Sequence, residues 1–235
     1  MYLFFDTETT GVPKNYKAPP SNLLNWPRVV QLAWVVTDEQ GRELKATNHI
    51  IRPDGFVIPE VVSRIHGITT DMAMRDGVEL KVALDEIEAD MLASTKLFAH
   101  NMSFDENIVG AELLRAGRTN VVLQKPRGCT MQASTEYCAL PGNYGTKWPK
   151  LQELHSKLFG SPFEGGHDAL VDVRACAKCY FELRKLEVMQ LFCAGARHKK
   201  RNPKLLCPQI NMQAFCAGMM GICWVSTCGV TQFIR

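Results

Sequence analysis

Positions 2–11 of the chain read Tyr2-Leu3-Phe4-Phe5-Asp6-Thr7-Glu8-Thr9-Thr10-Gly11. The apolar residues before Asp6 are typical of a buried β-strand, and two carboxylates follow them directly. Because alternate residues of a strand point to the same face, Asp6 and Glu8 can reach one point at the end of the strand. The turn that ends in Gly11 adds backbone N–H groups and room for a ligand to approach. An Asp-x-Glu pair alone is more often a surface pair, but this context favours a site.

Two later stretches also place acids beside apolar segments. The first is His100-Asn101-Met102-Ser103-Phe104-Asp105, and the second is His167-Asp168-Ala169-Leu170-Val171-Asp172. Taken alone, Asp105 is interpreted as a charge that stabilises a helix N-terminus, and Asp172 as a solvent-facing acid. Together with Asp6 and Glu8 they predict a four-carboxylate cluster. Because carboxylates are rarely buried without a partner or a metal ion, such a cluster suits hard divalent cations.

The predicted cluster points to phosphodiester chemistry. Repulsion among four carboxylates is relieved by cations, and two Mg²⁺ or Mn²⁺ ions roughly 3.5–4 Å apart are the known arrangement for phosphodiester cleavage. One ion would orient and ionise a water molecule, and the other would stabilise the leaving oxygen. His167 lies five residues before Asp172, beside two glycines, and an ordinary histidine pKa of about 6.5 suits a general base at neutral pH. A histidine in a glycine-rich stretch is also often a simple surface residue.

The order of apolar patterns indicates an α/β protein. A proline-rich loop over 12–27 separates the first two predicted strands. Strands followed by strands that alternate with helices predict a mixed sheet covered by helices. The predicted strands are 2–5, 29–36, 44–51 and 96–99, and the predicted helices are 59–65, a segment around 82–92, 103–116, 149–159 and 168–186.

The three motifs Phe-Asp-Thr-Glu-Thr-Thr-Gly, His-Asn-x-x-Phe-Asp and His-x-Ala-x-x-Asp, in this order, closely resemble those of the DEDDh 3′-to-5′ exonucleases. This family includes the proofreading epsilon subunit of DNA polymerase III, RNase T and oligoribonuclease. The resemblance covers residues 1 to about 187 and implies an RNase H-like fold with a mixed five-stranded sheet. It also implies His167 as general base, because the sister subclass has a tyrosine where this chain has Asp168. The implied metal ligands are Asp6, Glu8, Asp105 and Asp172.

The resemblance further implies residues that contact the substrate. Residues at Thr7 to Thr9 are expected to approach the 3′-OH of the terminal nucleotide, and His66 is expected to contact that nucleotide. An alternative for His66 is that its ring caps the local backbone. Phe104 is expected to wedge between the last bases, since stacking on an aromatic ring tolerates any sequence, but it is equally compatible with a place in the core.

The charge of the chain is divided unevenly. The formal net charge is +3, and residues 188–235 contain six basic residues and no acid, which leaves −3 for residues 1–187. We therefore expect an exonuclease domain over 1–187 and a basic, cysteine-containing C-terminal extension over 188–235 of unknown structure. A basic tail can attract nucleic acid or dock a polymerase or other protein partner, although a charge cluster is more often a solvated surface. A partner-binding segment, a poorly packed extension and a non-native reading frame all stay open.

Targeting and cysteine patterns predict a cytoplasmic protein with reduced thiols. The N-terminal residues lack the basic and apolar regions of a signal peptide, and the apolar run 215–225 is too short to cross a bilayer. Nine cysteines without regular spacing argue against a disulfide framework. Cys176 and Cys179 are interpreted as small residues of a helix face rather than as metal ligands.

These observations predict a two-metal 3′-to-5′ exonuclease with Mg²⁺ or Mn²⁺ as cofactor. The expected reaction releases nucleoside 5′-monophosphates from the 3′ end of single-stranded or frayed DNA. One alternative is an exoribonuclease, since the sequence shows no clear group that reads a 2′-OH. Another is a proofreading subunit that acts when bound to a polymerase.

Overall fold

A five-stranded mixed sheet organises residues 1–189, which the computed structural model describes. The strand order is β3-β2-β1-β4-β5, in which β1 runs antiparallel to β2 and parallel to β4. Antiparallel pairing also joins β2 to β3, and parallel pairing joins β4 to β5. The predicted mixed sheet of five strands is therefore confirmed. The strands are β1 (Tyr2–Thr9), β2 (Val29–Thr37), β3 (Glu43–Ile50), β4 (Lys96–Ala99) and β5 (Arg127–Cys129).

Helices connect and cover these strands. A 3-10 helix, Val121–Gln124, precedes β5. The α-helices are α1 (Glu60–His66), α2 (Thr70–Asp76), α3 (Leu80–Ala93), α4 (Met102–Arg115), α5 (Thr130–Ala133), α6 (Thr135–Cys138), α7 (Leu151–Phe159) and α8 (Ala169–Lys185). A small hairpin formed by β6 (Pro141–Gly142) and β7 (Gly145–Thr146) comes later in the chain than β5, between α6 and α7.

The two faces of the sheet carry separate apolar cores, and β1 contributes alternate residues to each. Leu3 and Phe5 belong to the core that includes residues of α3 and α4. Phe4 belongs to the core that includes residues of α7 and α8. Because side chains alternate along a strand, Asp6 and Glu8 continue the Phe4 side and lie on the face that α8 covers.

The packed domain extends past Glu187. Met189 is buried and belongs to the same core cluster as Phe98 and Tyr180. The boundary expected at residue 187 therefore stops two residues short of the last buried side chain that the structure describes. Most of the predicted C-terminal extension, residues 190–235, lies outside the described residues.

The described cysteines are free thiols. Cys138, Cys176 and Cys179 are buried, and Cys129 is partly buried. Cys176 and Cys179, interpreted from the sequence as small residues of a helix face, lie within α8 and face its buried side. No helix within residues 1–189 has both the length and the apolar character needed to cross a membrane.

Candidate active site

Asp6 and Glu8 lie inside β1 rather than beyond its end. The strand continues to Thr9, and Glu8 still pairs with Gln31 of β2. Burial raises the pKa of Asp6 well above its usual range and raises the pKa of Glu8 to about 8. The charges of Asp172 and Asp105 add to both shifts. Like charges that are buried together favour protonation, so positive charge is needed for both acids to ionise.

Asp105 approaches β1 from the first turn of α4 and is only 2% exposed. Its Oδ1 accepts two hydrogen bonds from Thr7, one from the backbone N–H (3.1 Å) and one from the hydroxyl (2.8 Å). Burial raises the pKa of Asp105 to about 7, and the bonds from Thr7 oppose that rise. The chain enters α4 through Asn101, whose φ of 75° is left-handed. Through its two hydrogen bonds, Thr7 fixes the position of Asp105, which lies 98 residues further along the chain.

The start of α8 brings the remaining acid and the histidine to β1. His167 is exposed and has a left-handed φ of 71°, and its backbone N–H donates to Oδ2 of Asp172 (2.9 Å). One ligand atom from each of Glu8, His167 and Asp172 lies within 4.8 Å of the other two. Burial also raises the pKa of Asp172. The structure therefore brings together five predicted residues: Asp6, Glu8, Asp105, His167 and Asp172.

Two residues of the site were not predicted from the sequence. Gln31 of β2 is 2% exposed, and its Oε1 accepts a hydrogen bond from the N–H of Ala169 (3.2 Å). Its Nε2 donates to Oδ2 of Asp168 (3.4 Å) and to Oδ1 of Asn48 (2.9 Å). Gln31 is a polar residue within an otherwise apolar strand pattern. This break in the pattern was the signal in the sequence that could have identified it as a functional residue.

Asp168 has a double role at the start of α8. Its Oδ1 accepts hydrogen bonds from the N–H groups of Leu170 (3.0 Å) and Val171 (3.1 Å), so it caps the helix. Its charge also raises the pKa of Asp6, Glu8 and Asp172. It is therefore a fifth acid that acts on the predicted cluster.

The donor set fits hard divalent cations. Carboxylate oxygens dominate the cluster, as such ions prefer. Within residues 1–189, no lysine or arginine is among the largest causes of the pKa shifts of the four predicted ligands, and His167 is the positive group among them, where it lowers the pKa of Asp172. A bound cation would therefore offset the repulsion among the four carboxylates, which no neighbouring lysine or arginine of the described residues strongly reduces. The residues that could hold it are Asp6, Glu8, Asp105 and Asp172.

His66 lies at the edge of this cluster, at the end of α1. Its Nδ1 accepts a hydrogen bond from the N–H of Ile68 (3.1 Å), which is the backbone-capping role considered from the sequence. Its Nε2 is buried without a hydrogen-bond partner. Burial lowers the pKa of His66, while the backbone of Thr9 raises it and the ring of His167 lowers it. Nδ1 of His66 therefore makes a local hydrogen bond, and Nε2 lies beside the cluster of acids.

The other predicted substrate contacts have different surroundings. Thr7 and Thr9 are buried; the hydroxyl of Thr7 donates to Asp105, and the hydroxyl of Thr9 donates to the carbonyl of Gly11 (2.6 Å). Both hydroxyls are thus engaged within the protein. Phe104 is half-buried and packs against the core cluster on the α4 side of the sheet. Phe104 therefore joins the core and also keeps part of its ring exposed.

Comparisons with known proteins agree with this geometry. The exonuclease family model RNase_T matches residues 3–180. The DNA polymerase III subunit epsilon of Treponema pallidum is 30% identical over 183 residues, which cover 75% of this chain and 73% of that protein.

Solved structures show the same fold at lower identity. E. coli exonuclease I in complex with a dA16 oligonucleotide aligns with a TM-score of 0.61 and 20% identity over 78% of this chain and 40% of that one. The zinc-bound form of the E. coli exonuclease I complex with single-stranded DNA aligns with a TM-score of 0.61 and 19% identity over 79% of this chain and 40% of that one. The chain thus spans about 40% of the length of these exonuclease I chains. The likeness confirms the RNase H-like fold.

Proposed function

We propose that DNA is the substrate of this chain, which belongs to the RNase T family of exonucleases and is a 3′-to-5′ exonuclease that acts on nucleic acid. The proposed reaction removes nucleoside 5′-monophosphates from a single-stranded or frayed 3′ end. The observation that carries the proposal is the convergence of Asp6, Glu8, Asp105 and Asp172 with His167 at the end of one sheet. Four mutually repelling acids beside an exposed imidazole suit metal-assisted hydrolysis of a phosphodiester.

We propose Asp6, Glu8, Asp105 and Asp172 as ligands of two Mg²⁺ or Mn²⁺ ions. When bound, such ions polarise a phosphodiester, lower the pKa of water and stabilise the leaving oxygen. The protein's part is to hold the carboxylates in place. Thr7 does so for Asp105 through two hydrogen bonds, and the backbone of His167 does so for Asp172.

We propose that a ring nitrogen of His167 accepts the proton of the attacking water. The residue is exposed, and the left-handed backbone that anchors its N–H on Asp172 leaves the side chain free of that bond. A positioned general base contributes about 10²- to 10⁴-fold in rate. His167 is also close enough to Glu8 and Asp172 to serve as a further ligand, and the variant described in the Discussion separates the two roles.

The terminal nucleotide is assigned to the surface between His66 and Phe104. Nε2 of His66 makes no hydrogen bond of good geometry within the protein, although the backbone of Thr9 is near enough to the ring to raise its pKa, so Nε2 is suited to a polar atom of the substrate. The exposed part of Phe104 is suited to stacking against a base. Because the hydroxyls of Thr7 and Thr9 and the backbone N–H of Thr7 are engaged within the protein, a contact of this part of the chain with the 3′-OH would use the remaining backbone groups of Glu8 and Thr9.

The preference for DNA is supported by the relatives. The protein that is 30% identical is named as a DNA polymerase subunit, and the exonuclease I structures hold deoxyribonucleotide strands. The assay is the release of labelled mononucleotides from DNA and RNA strands of matched sequence, with and without Mg²⁺. Faster release from RNA would contradict the DNA assignment and favour the exoribonuclease.

Replacement of Asp6 or Asp105 tests the active site. We expect Asp6→Asn and Asp105→Asn to reduce mononucleotide release by about a hundred-fold or more, because each removes a charged oxygen ligand. Asp71→Asn is the matched control, since Asp71 is exposed in the first turn of α2. Folded Asp6→Asn protein that cleaves as fast as wild type would contradict the proposal.

The subunit alternative has one observation in its favour, the name of the epsilon relative. A polymerase partner would co-elute with the full chain in size-exclusion chromatography. The comparison is a chain that ends after Met189, because this keeps the last described core residue. Loss of co-elution on truncation would assign the partner contact to residues 190–235.

A further inference from the structure

The hairpin between α6 and α7 exposes two large aromatic side chains. Tyr144 is fully exposed at the turn between β6 and β7, and Trp148 is 62% exposed directly after β7. By contrast, Trp26 and Trp34 are buried. Large aromatic side chains that are exposed four residues apart in one hairpin indicate a contact surface.

This hairpin is tied to the strand that leads to Asp105. The carbonyl of Pro149, the residue after Trp148, accepts a hydrogen bond from Nε2 of His100 (3.0 Å). Phe4 of β1 pairs with Phe98 of β4, so His100 follows β4 at the level of Asp6 in β1. Adjacent strands are about 4.8 Å apart. The base of the hairpin therefore lies beside the catalytic end of the sheet.

A second tether joins the same segment to the loop that carries His167. The side-chain amide of Gln152, in the first turn of α7, donates to the carbonyl of Phe163 (3.0 Å) and accepts from the N–H of Phe163 (3.1 Å). Phe163 precedes His167 by four residues. The segment directly after Trp148 is thus held between the elements that supply Asp105 and His167.

The charge around these rings suits a polyanion. Residues 139–152 contain Lys147 and Lys150 and no acid, whereas residues 1–187 as a whole carry a net charge of −3. Trp148 lies between the two lysines in sequence. Two acids flank this segment: Glu136 accepts a hydrogen bond from Thr146 (3.1 Å), and Glu153 pairs with Lys147 (2.6 Å). With Lys157 included, residues 136–157 carry a net charge of +1. Aromatic rings interleaved with lysines are the chemistry that binds single strands, through base stacking and phosphate contacts.

We infer that Trp148, together with Tyr144, forms a stacking platform for the single-stranded DNA on the 5′ side of the terminal nucleotide. The inference rests on the proposed exonuclease function and adds to it the path of the strand. Only an unpaired base can stack on the platform, so the hairpin also selects single-stranded or frayed ends. His66 and Phe104 contact the terminal nucleotide, and the hairpin contacts bases on the 5′ side of the second nucleotide, beyond the reach of a dinucleotide.

Two measurements on the full-length chain test the platform. The first is the Kd of a fluorescent DNA single strand of about twelve nucleotides, measured by anisotropy in EDTA so that no cleavage is needed. The second is steady-state cleavage of that strand and of a deoxydinucleotide with Mg²⁺. For Trp148→Ala we expect Kd and KM for the long strand to rise about ten-fold. The kcat/KM for the dinucleotide stays within about two-fold of wild type, because the dinucleotide does not reach the hairpin.

Two further variants make the result specific. Trp148→Phe keeps an aromatic face and should retain most of the affinity for the long strand. Leu123→Ala is the control for loss of an exposed apolar side chain, because Leu123 is 55% exposed in the 3-10 helix that precedes β5, whereas His100 follows the parallel strand β4 at the other end of the strands. It should leave Kd and both KM values unchanged.

The outcomes separate the platform from the proposed function. Kd and KM for the long strand within about two-fold of wild type in Trp148→Ala would overturn the platform and leave the hairpin available to a protein partner. An equal loss on the dinucleotide and the long strand would also overturn it, since Trp148 would then act through the fold. If the wild-type chain cleaves neither substrate, the exonuclease proposal fails, while the anisotropy measurement still tests the platform.

Discussion

At the scale of individual residues, one residue supplies the hydrogen bonds that orient each of two acids. Asp105 is held by the backbone and hydroxyl of Thr7, and Asp172 is held by the backbone of His167. In both cases the donor comes from a motif that also carries a proposed functional residue. A motif residue of this chain can therefore act on the site without touching the substrate.

Thr7→Val tests this positioning role. Valine keeps the shape of the side chain and removes the 2.8 Å bond from the hydroxyl to Asp105. We expect kcat to fall about ten-fold, the equivalent of one hydrogen bond of about 1–1.5 kcal/mol, with little change in KM. Thr9→Val is the matched control because the hydroxyl of Thr9 donates to Gly11 and not to an acid. Equal effects of the two substitutions would contradict the role.

His167→Ala separates a base from a metal ligand. As a general base, His167 is expected to contribute about 10²- to 10⁴-fold to kcat. Binding of Mn²⁺, read from the rise in Tm that the ion causes, should persist because the four carboxylates remain. A lost Tm response would instead make His167 a ligand, and an unchanged kcat would remove its role as base.

At the scale of elements, the beginning of α8 is fixed by strand β2. Gln31 binds the N–H of Ala169 and the carboxylate of Asp168, and these residues follow His167 directly. The position of His167 and Asp172 therefore depends on how α8 meets β2. This explains why a glutamine is buried in an apolar strand.

Gln31→Met tests whether this contact positions the site. Methionine matches the length of glutamine and removes both bonds to α8. We expect kcat to fall about 10- to 100-fold, as is typical when a partner that orients a metal ligand is lost, with KM within about three-fold of wild type. Asn48→Ala is the control because it removes the other partner of Gln31 and keeps its bonds to α8. If Asn48→Ala lowered kcat more than Gln31→Met does, the loss would come from the contact between β2 and β3 and not from the contact with α8.

The sequence predicted strands β1 to β4 and helices α1, α3, α4, α7 and α8, including elements as short as the four residues of β4. The acids of β1, α4 and α8 stand at positions that the three motifs mark. Strand β5 was not predicted because Arg127-Gly128-Cys129 has no apolar alternation. A Cβ at Gly128 would lie 2.5 Å from the ring of Phe98, so the residue reflects packing against another strand. The need for a residue without a side chain at position 128 cannot be seen in the sequence around it, because it depends on a residue of another strand.

The cluster of acids could be predicted only in part. Asp6, Glu8, Asp105 and Asp172 were proposed as ligands because each belongs to a motif, and the structure places them near one another. Gln31 and Asp168 act through the meeting of β2 with α8, which are 137 residues apart at this contact. The engagement of Thr7 with Asp105 likewise depends on how α4 packs on β1. Contacts of this kind follow from the assembled fold rather than from spacing in the sequence.

At the scale of the whole molecule, the acids of the site affect the stability of the fold. Burial and mutual repulsion raise the pKa of Glu8 to about 8 and of Asp105 to about 7. In the unfolded chain these groups return to ordinary values near 4. Between the two values the folded protein binds more protons than the unfolded chain does, so the free energy of unfolding falls as pH rises.

Thermal unfolding in EDTA and in Mg²⁺ tests this linkage. In EDTA we expect stability to be fully present below the ordinary pKa of Glu8 and to be lost as pH rises to about 8, by on the order of 2 kcal/mol or about 5 °C in Tm. Mg²⁺ should restore Tm at the high end, because the bound cation favours the ionised acids. Glu8→Gln should flatten the slope in EDTA, whereas the exposed Glu60→Gln should not. A Tm in EDTA that stays flat over this range would show that the acids are not mutually destabilising.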